Sequence, residues 1–416
     1  MRKLTLLVVF LTFLVQSCAV KKEFQQSINT YQLQNYFTGL LVVNTQSKDT
    51  LINYNSQKYF TPASTTKLFT LYTSLKSLPD SIATISYFDL GDKRYFKALA
   101  DPTFLVDSLP NSTYGFLKNT DKELIFVSEE FSDFIYGDGW QWDDFQYYYM
   151  PEKSLFPIYS NLVSLENNRL TPKHFQQFIQ KDFKKKYYRD FLQNDFYIDS
   201  IPSGKRRFIP FKTSLELSLQ LLSDTLHKPI YKANEIEEGN FKPYISTPIR
   251  PIYDRLMQQS DNFIAEYLFL IISKNKTDSY QVKNSIQYAL DSLLHDIPDK
   301  PRWVDASGLS RYNLFTPRSM VYLLHKLYND FGEEKVFDLL PKNGEGETLQ
   351  NNYPFDTTYI YAKTGTVSNN HNLCGFIKTQ KGTLLTFSFM NNHYLQKNSE
   401  TRKEMNQLLQ KLYYNY

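Results

Sequence analysis

Thr61–Pro62–Ala63–Ser64–Thr65–Thr66–Lys67 is the stretch on which the reading of this chain turns. Beyond Ser64, the residues Lys67, Leu68, Leu71, Tyr72 and Leu75 recur at intervals of three and four, the period of a helix, and Pro79 closes the segment. At a helix start, free backbone N–H groups and the positive dipole end face the Ser side chain. Residues i and i+3 share a helix face, so Lys67 can reach Ser64. A Ser hydroxyl is a weak nucleophile until a neighbouring base takes its proton. A Lys is such a base only when neutral, which needs desolvation or a nearby positive charge. Lys363 can supply that charge. The plainer reading is a helix cap at Ser64 and a surface charge at Lys67.

Two more motifs follow. Ser260–Asp261–Asn262 lies between helical patterns at residues 249–259 and 263–273. A tight connection there can turn Ser260 and Asn262 into one cleft, where Ser260 relays a proton to a leaving amine and Asn262 holds a substrate amide. A plain capped turn is the alternative. Lys363–Thr364–Gly365–Thr366 ends a strand pattern over residues 358–362 and precedes two more, 373–379 and 383–390, joined at Gln380–Lys381–Gly382. A strand edge docks an extended peptide by main-chain pairing. Lys363 and Thr364 can bind a terminal carboxylate there, Gly365 allows close approach, and the N–H groups of Ser64 and Thr366 can form an oxyanion hole. Ser273–Lys274–Asn275–Lys276 and Ser368–Asn369–Asn370 match parts of the same patterns, so order and context carry the signal, not any one match.

Outward from these motifs, residues 39–55 read as a strand hairpin and residues 399–413 as a closing amphipathic helix. Helical periodicity also covers residues 279–294 and 317–329. Residues 85–240 are rich in Tyr, Phe and Asp, with short alternating runs. They read as a strand-rich insertion carrying a helix or two, one of them over residues 171–191. The chain thus divides into a leader (1–17), a domain in two pieces (18–84 and 241–416) and the insertion (85–240).

Composition is globular, with 42% hydrophobic and 22% charged residues over 416 positions. The formal charge of +4 and a single short basic run, Lys184–Lys185–Lys186, give no basis for a nucleic-acid partner. The six His are scattered without metal-site spacing, so neither metal nor cofactor is expected. Arg2 and Lys3 precede an apolar run from Leu4 to Val15, too short to span a bilayer and suited to an export signal. It leads into Val15–Gln16–Ser17–Cys18, a lipobox-like junction that predicts lipid attachment at Cys18 and a membrane tether. Cys374, in an apolar run, reads as a small buried hydrophobe.

In their order, the three motifs resemble those of the penicillin-recognising serine enzymes. The flanks narrow this. Pro62–Ala63–Ser64–Thr65 is similar to the D-Ala-D-Ala carboxypeptidase/endopeptidase family, the class C low-molecular-mass penicillin-binding proteins of the penicillin-binding protein 4 type. So are Asn372–Leu373–Cys374–Gly375–Phe376 and Asp305–Ala306–Ser307–Gly308–Leu309–Ser310–Arg311, with Ala306 where that family usually has Gly. The separation of 196 positions from Ser64 to Ser260 leaves room for that family's insertion, and Ala100–Asp101–Pro102 resembles its Gly-Asp-Pro segment. The resemblance covers nearly all of the chain after the leader. It implies an α/β fold of the penicillin-recognising serine transpeptidase/β-lactamase type: an antiparallel sheet flanked by helices, a helical subdomain and a strand-rich insertion. It implies a DD-peptidase of cell-wall peptidoglycan that works through a Ser64 acyl-enzyme, takes stem peptides as substrate and β-lactams as covalent inhibitors, and acts outside the cytoplasm. Lys67, Ser260, Asn262 and Lys363 would share catalysis, with Thr364, Gly365 and Thr366 holding substrate. A β-lactamase or a Ser-Lys esterase would share the motifs, and a non-catalytic wall-binding lipoprotein is the alternative of another class. The Asp305–Arg311 loop is expected to buttress the site.

Overall fold

The computed structural model describes residues 36–181, 187–198, 205–233, 239–344, 348–350, 352–355 and 357–416. The leader and Cys18 lie outside the described residues, as does the basic run at 184–186.

The chain enters as strand β1 (Phe37–Asn44) and turns back as β2 (Thr50–Tyr54). After a 3-10 turn (Ala63–Thr66) comes helix α1 (Lys67–Ser77), which ends two residues before Pro79 because proline cannot continue the ladder. Helices α2 (Ile249–Gln258), α3 (Asn262–Thr277) and α4 (Pro317–Phe331) follow the insertion. Strands β3 (Ile360–Val367), β4 (Asn370–Lys378) and β5 (Leu384–Asn392) and helix α5 (Asn398–Asn415) complete the chain. The strands form one antiparallel sheet in the order β3-β4-β5-β1-β2.

All nine residues of β5 are buried, so both faces of the sheet must be covered. The period of two sorts them. Leu373, Ile377, Leu385, Phe387 and Phe389 pack with Met405, Leu408, Leu409 and Leu412 of α5. Cys374, Phe376, Leu384 and Met390 face the opposite core, shared with α1, α3 and α4. Cys374 is buried there as a free thiol, its Sγ 3.2 Å from Ser388 Oγ. This arrangement is the antiparallel sheet with flanking helices expected from the sequence.

The segment between α1 and α2 carries its own five-stranded mixed sheet, in the order Ile230–Ala233, Glu123–Val127, Lys93–Ala98, Ser81–Leu90, Lys242–Pro248. Two three-stranded sheets accompany it. The helix expected over residues 171–191 does not form. The described residues there are a strand (Arg169–Thr171), a 3-10 turn (Lys173–Phe178) and short strands Ile179–Gln180 and Tyr187–Arg189. Tertiary packing overrides the apolar period. Phe175 packs edge-on against Phe196 and tilted against Phe211, and the buried Arg189 guanidinium donates to the carbonyls of Pro210 (2.8 Å) and Asp190 (2.6 Å). The helical pattern at 279–294 is also shorter, as Val282–Tyr288 running into a π-turn, Ala289–Leu293.

Candidate active site

Ser64 sits in the 3-10 turn ahead of α1. Its predecessor Ala63 has φ 49°, a conformation that costs a non-glycine residue free energy. The surroundings hold it there. A Cβ added to Gly308, itself at φ +82°, would lie 2.0 Å from Ala63 O. A Cβ on Gly365 would lie 2.4 Å from Pro62 O and 3.0 Å from Ser64 N. Two glycines on separate segments thus let backbone press on the Ser64 turn from both sides. Side chains satisfy its carbonyls. Asn372 Nδ2 donates to Thr61 O (2.9 Å) and Pro62 O (2.8 Å), and Thr66 Oγ1 donates to Ala63 O (2.9 Å).

One turn along, Lys67 is fully buried. Its Nζ donates to Ser64 Oγ (3.0 Å), Asn262 Oδ1 (2.6 Å) and Ser307 O (2.6 Å). Those three acceptors match the three protons of an ammonium. Burial nevertheless pushes its pKa down to about 8, against the opposing pull of the carboxylates of Asp305, Asp261 and Glu266. Near neutrality Lys67 is therefore close to losing a proton, and the freed lone pair has a hydroxyl 3.0 Å away. Asn262 is oriented from behind, its Nδ2 donating to Tyr149 O (2.9 Å) of the insertion.

Ser260 occupies the break between α2 and α3 at φ 58°. Asp261 caps α3, accepting from Ile264 N (3.0 Å) and Arg255 Nε (2.7 Å), and the capped turn also places Ser260 and Asn262 on a cleft. Ser260 Oγ accepts from Lys363 Nζ at 2.8 Å, and Lys363 also donates to Thr364 O (3.0 Å). Lys363 is wholly buried, and its pKa lies well below the usual lysine range through burial and then through the charge of Lys67. Burial is the larger cause at both amines, and at Lys363 the charge of Lys67 adds to it.

Ser64, Ser260, Asn262, Thr364 and Thr366 open onto one cleft of about 900 Å³. Gln141, Asp144 and Tyr149 of the insertion and Arg311 line it as well. The fold brings the motif residues together, while Cys18 lies outside the described residues. No group of His, Cys, Asp and Glu among the described residues is arranged to hold a metal.

The loop Asp305–Arg311 does more than buttress. Asp305, buried, accepts from Gly308 N (2.9 Å), Ser310 N (2.7 Å), Asn313 Nδ2 (2.6 Å), Ser307 Oγ (3.1 Å) and Trp140 Nε1 (2.8 Å). That one carboxylate folds the loop so that Ser307 O meets Lys67 and Gly308 meets Ala63. Glu266 of α3 was not foreseen. Its Oε1 accepts from Ser307 N at 2.9 Å, and burial together with Asp305 raises its pKa to about 7. Its signal was present in the sequence: a lone acid inside the apolar run Phe263–Ile272.

Residues 20–193 and 230–412 match the profile of the D-Ala-D-Ala carboxypeptidase 3 (S13) family. The chain is 21% identical to D-alanyl-D-alanine carboxypeptidase DacB of Haemophilus influenzae, over 89% of this chain and 88% of that one. It is 26% identical to carboxypeptidase DacB of Mycolicibacterium smegmatis over 36% of this chain and 34% of that protein. Among solved structures, penicillin binding protein 4 of H. influenzae superposes with a TM-score of 0.75 at 18% identity, covering 95% of this chain and 99% of that chain. The peptidoglycan endopeptidase Bd3459 of Bdellovibrio bacteriovorus gives 0.53 at 15% identity, covering 89% and 92%.

Proposed function

Because this chain belongs to the D-Ala-D-Ala carboxypeptidase 3 (S13) family, and is thereby a serine-type DD-peptidase of peptidoglycan, we propose that its chemistry runs through Ser64 as nucleophile and Lys67 as base. The observation that carries this reading is Lys67 Nζ, buried and 3.0 Å from Ser64 Oγ. Neutral Lys67 takes the Ser64 proton, and Oγ attacks the carbonyl carbon of the penultimate D-Ala. The oxyanion rests on the N–H groups of Ser64 and Thr366, and Thr364 with Lys363 receives the terminal carboxylate. The intermediate collapses as the proton taken up by Lys67 passes through Ser260 to the leaving amine, which leaves Lys67 neutral again. Terminal D-Ala departs, water attacks the acyl-enzyme with Lys67 again as base, and Ser64 regains its proton. A β-lactam follows the first half of this path, but its leaving nitrogen stays tethered and shields the ester. One homologous structure, penicillin binding protein 4 of H. influenzae, is described with a bound β-lactam.

The cleft also reaches beyond Ser64 into the insertion, along Leu162, Ser164 and Phe208, and is roomier than a dipeptide requires. That extent favours cross-linked peptides as additional substrates, with the amine of a second stem in place of D-Ala. Purified cross-linked dimer muropeptides and pentapeptide monomers are expected both to be cleaved, as read by product masses. Cleavage of monomers alone would restrict the enzyme to carboxypeptidase action.

The substrate lies in the cell wall, so the protein works outside the cytoplasmic membrane. No helix among the described residues is long and apolar enough to cross a membrane. The lipobox-like Val15–Gln16–Ser17–Cys18 supports a tether through acyl chains on Cys18. Labelled palmitate is expected to enter the wild type and not Cys18→Ser; equal labelling of the two would exclude Cys18 as the site.

A further inference from the structure

Thr366 closes the third motif, and its hydroxyl is tied to a chain of two buried rings. Thr366 Oγ1 lies 2.7 Å from His371 Nδ1, and His371 Nε2 lies 2.8 Å from Tyr353 OH. The imidazole and the phenol are wholly or almost wholly buried, while Thr366 itself faces the cleft. The proposed mechanism uses the Thr366 N–H but neither ring.

The hydrogens in this chain can be counted. Burial and the nearby Arg402 hold the His371 pKa down to about 3, so the ring is neutral, with one N–H and one lone pair. Burial raises the Tyr353 pKa, so the phenol keeps its single proton. That proton has two acceptors within reach: His371 Nε2 at 2.8 Å and the Met405 sulfur at 3.7 Å. A thioether is the weaker acceptor, and here also the more distant. The Tyr353 proton therefore goes to Nε2. The imidazole proton is then on Nδ1 and is donated to Thr366 Oγ1. With that lone pair occupied, the Thr366 hydroxyl proton is left for a group in the cleft. The opposite tautomer would draw the Thr366 proton back onto Nδ1 and present only an oxygen lone pair to an incoming anion.

We propose that His371 and Tyr353 are positioning residues that fix the Thr366 hydroxyl as a hydrogen-bond donor into the cleft, serving the terminal carboxylate of the substrate. This rests on the reading that the carboxylate is received at Lys363 and Thr364, two residues from Thr366 along β3. Tyr353→Phe removes the donor that keeps the proton off Nε2 and preserves the ring. It is expected to raise KM for a D-Ala-D-Ala-terminated peptide about tenfold while kcat stays within about twofold, since the lost bond is to a charged group present in ground and transition states alike.

The direct readout is the His371 tautomer by side-chain ¹⁵N NMR of the wild-type protein. The chain has six His, and the resonance missing from His371→Gln assigns the site. An Nδ1–H tautomer in the wild type, with the KM-specific loss in Tyr353→Phe, is the expected result. An Nε2–H tautomer in the wild type overturns the proposal, as does a Tyr353→Phe protein with unchanged KM. The wild-type spectrum decides even if Tyr353→Phe does not fold. Failure of the catalytic reading is a separate event, seen as a wild type that gains no penicillin mass.

Discussion

Ser64→Ala is expected to gain no penicillin mass and to lose peptidase kcat/KM by about 10⁴-fold or more, because no other step can begin without the nucleophile. The protein should otherwise be intact. Ser64 is only partly buried, Ala keeps its Cβ, and Lys67 retains its bonds to Asn262 and Ser307. The melting midpoint should therefore move by no more than about 3 °C. Intact mass with excess penicillin over time is the measurement, followed by peptide mapping of the adduct. Mapping matters because the site contains two Ser–Lys pairs. Ser260 Oγ lies 2.8 Å from Lys363 Nζ, closer than Ser64 is to Lys67. Two features favour Ser64. Its turn is pressed by Gly308 and Gly365, which brings the β3 backbone next to the Ser64 N–H. Ser260 instead sits on a left-handed break between helices. An adduct that persists in Ser64→Ala and maps to Ser260 would exchange the roles of the two serines. An adduct on neither, with penicillin consumed by the wild type, would point to fast deacylation and a β-lactamase.

The sequence indicated the residues that meet at the site better than the walls around them. Ser64, Lys67, Ser260, Asn262 and Lys363 were legible because a helix start, a helix break and a strand leave local signatures in spacing, and because their order is informative. The sheet was legible for the same reason: β4 carries the apolar stretch Leu373–Ile377, and β5 runs Leu384–Met390 with only Thr386 and Ser388 polar, as strands covered on both faces allow. What failed depended on partners remote in sequence. Residues 171–191 have a helical period, yet Phe175 belongs with Phe211, and Arg189 with the carbonyl of Pro210. The contact of Ser307 O with Lys67 spans 240 positions, and nothing local to either residue announces it. The protonation of the two lysines is not legible in spacing either: burial lowers both, and at Lys67 the carboxylates of Asp305, Asp261 and Glu266 oppose it.

Lys67, on which those carboxylates act against burial, carries the second large effect. Lys67→Met keeps most of the buried stem but removes the amine, and acylation is expected to fall about 10³-fold or more. In the wild type the rate should follow deprotonation of Lys67. Below its pKa of about 8 the ammonium cannot accept the Ser64 proton, so the acylation rate should fall about tenfold per pH unit on the acid side and level off on the alkaline side. The sign can be tested through Glu266. Above its own pKa of about 7 its carboxylate stabilises the Lys67 ammonium and so raises the Lys67 pKa against the larger effect of burial. Glu266→Gln keeps an acceptor for Ser307 N and removes the charge. The ammonium is then less stable, Lys67 deprotonates at lower pH, and the rate profile should shift to the acid side with its plateau preserved. A plateau that falls without a shift would mean that Glu266 only shapes the loop. A shift to the alkaline side would mean that proton removal at Lys67 does not limit acylation, and Lys67 would lose its assignment as the base.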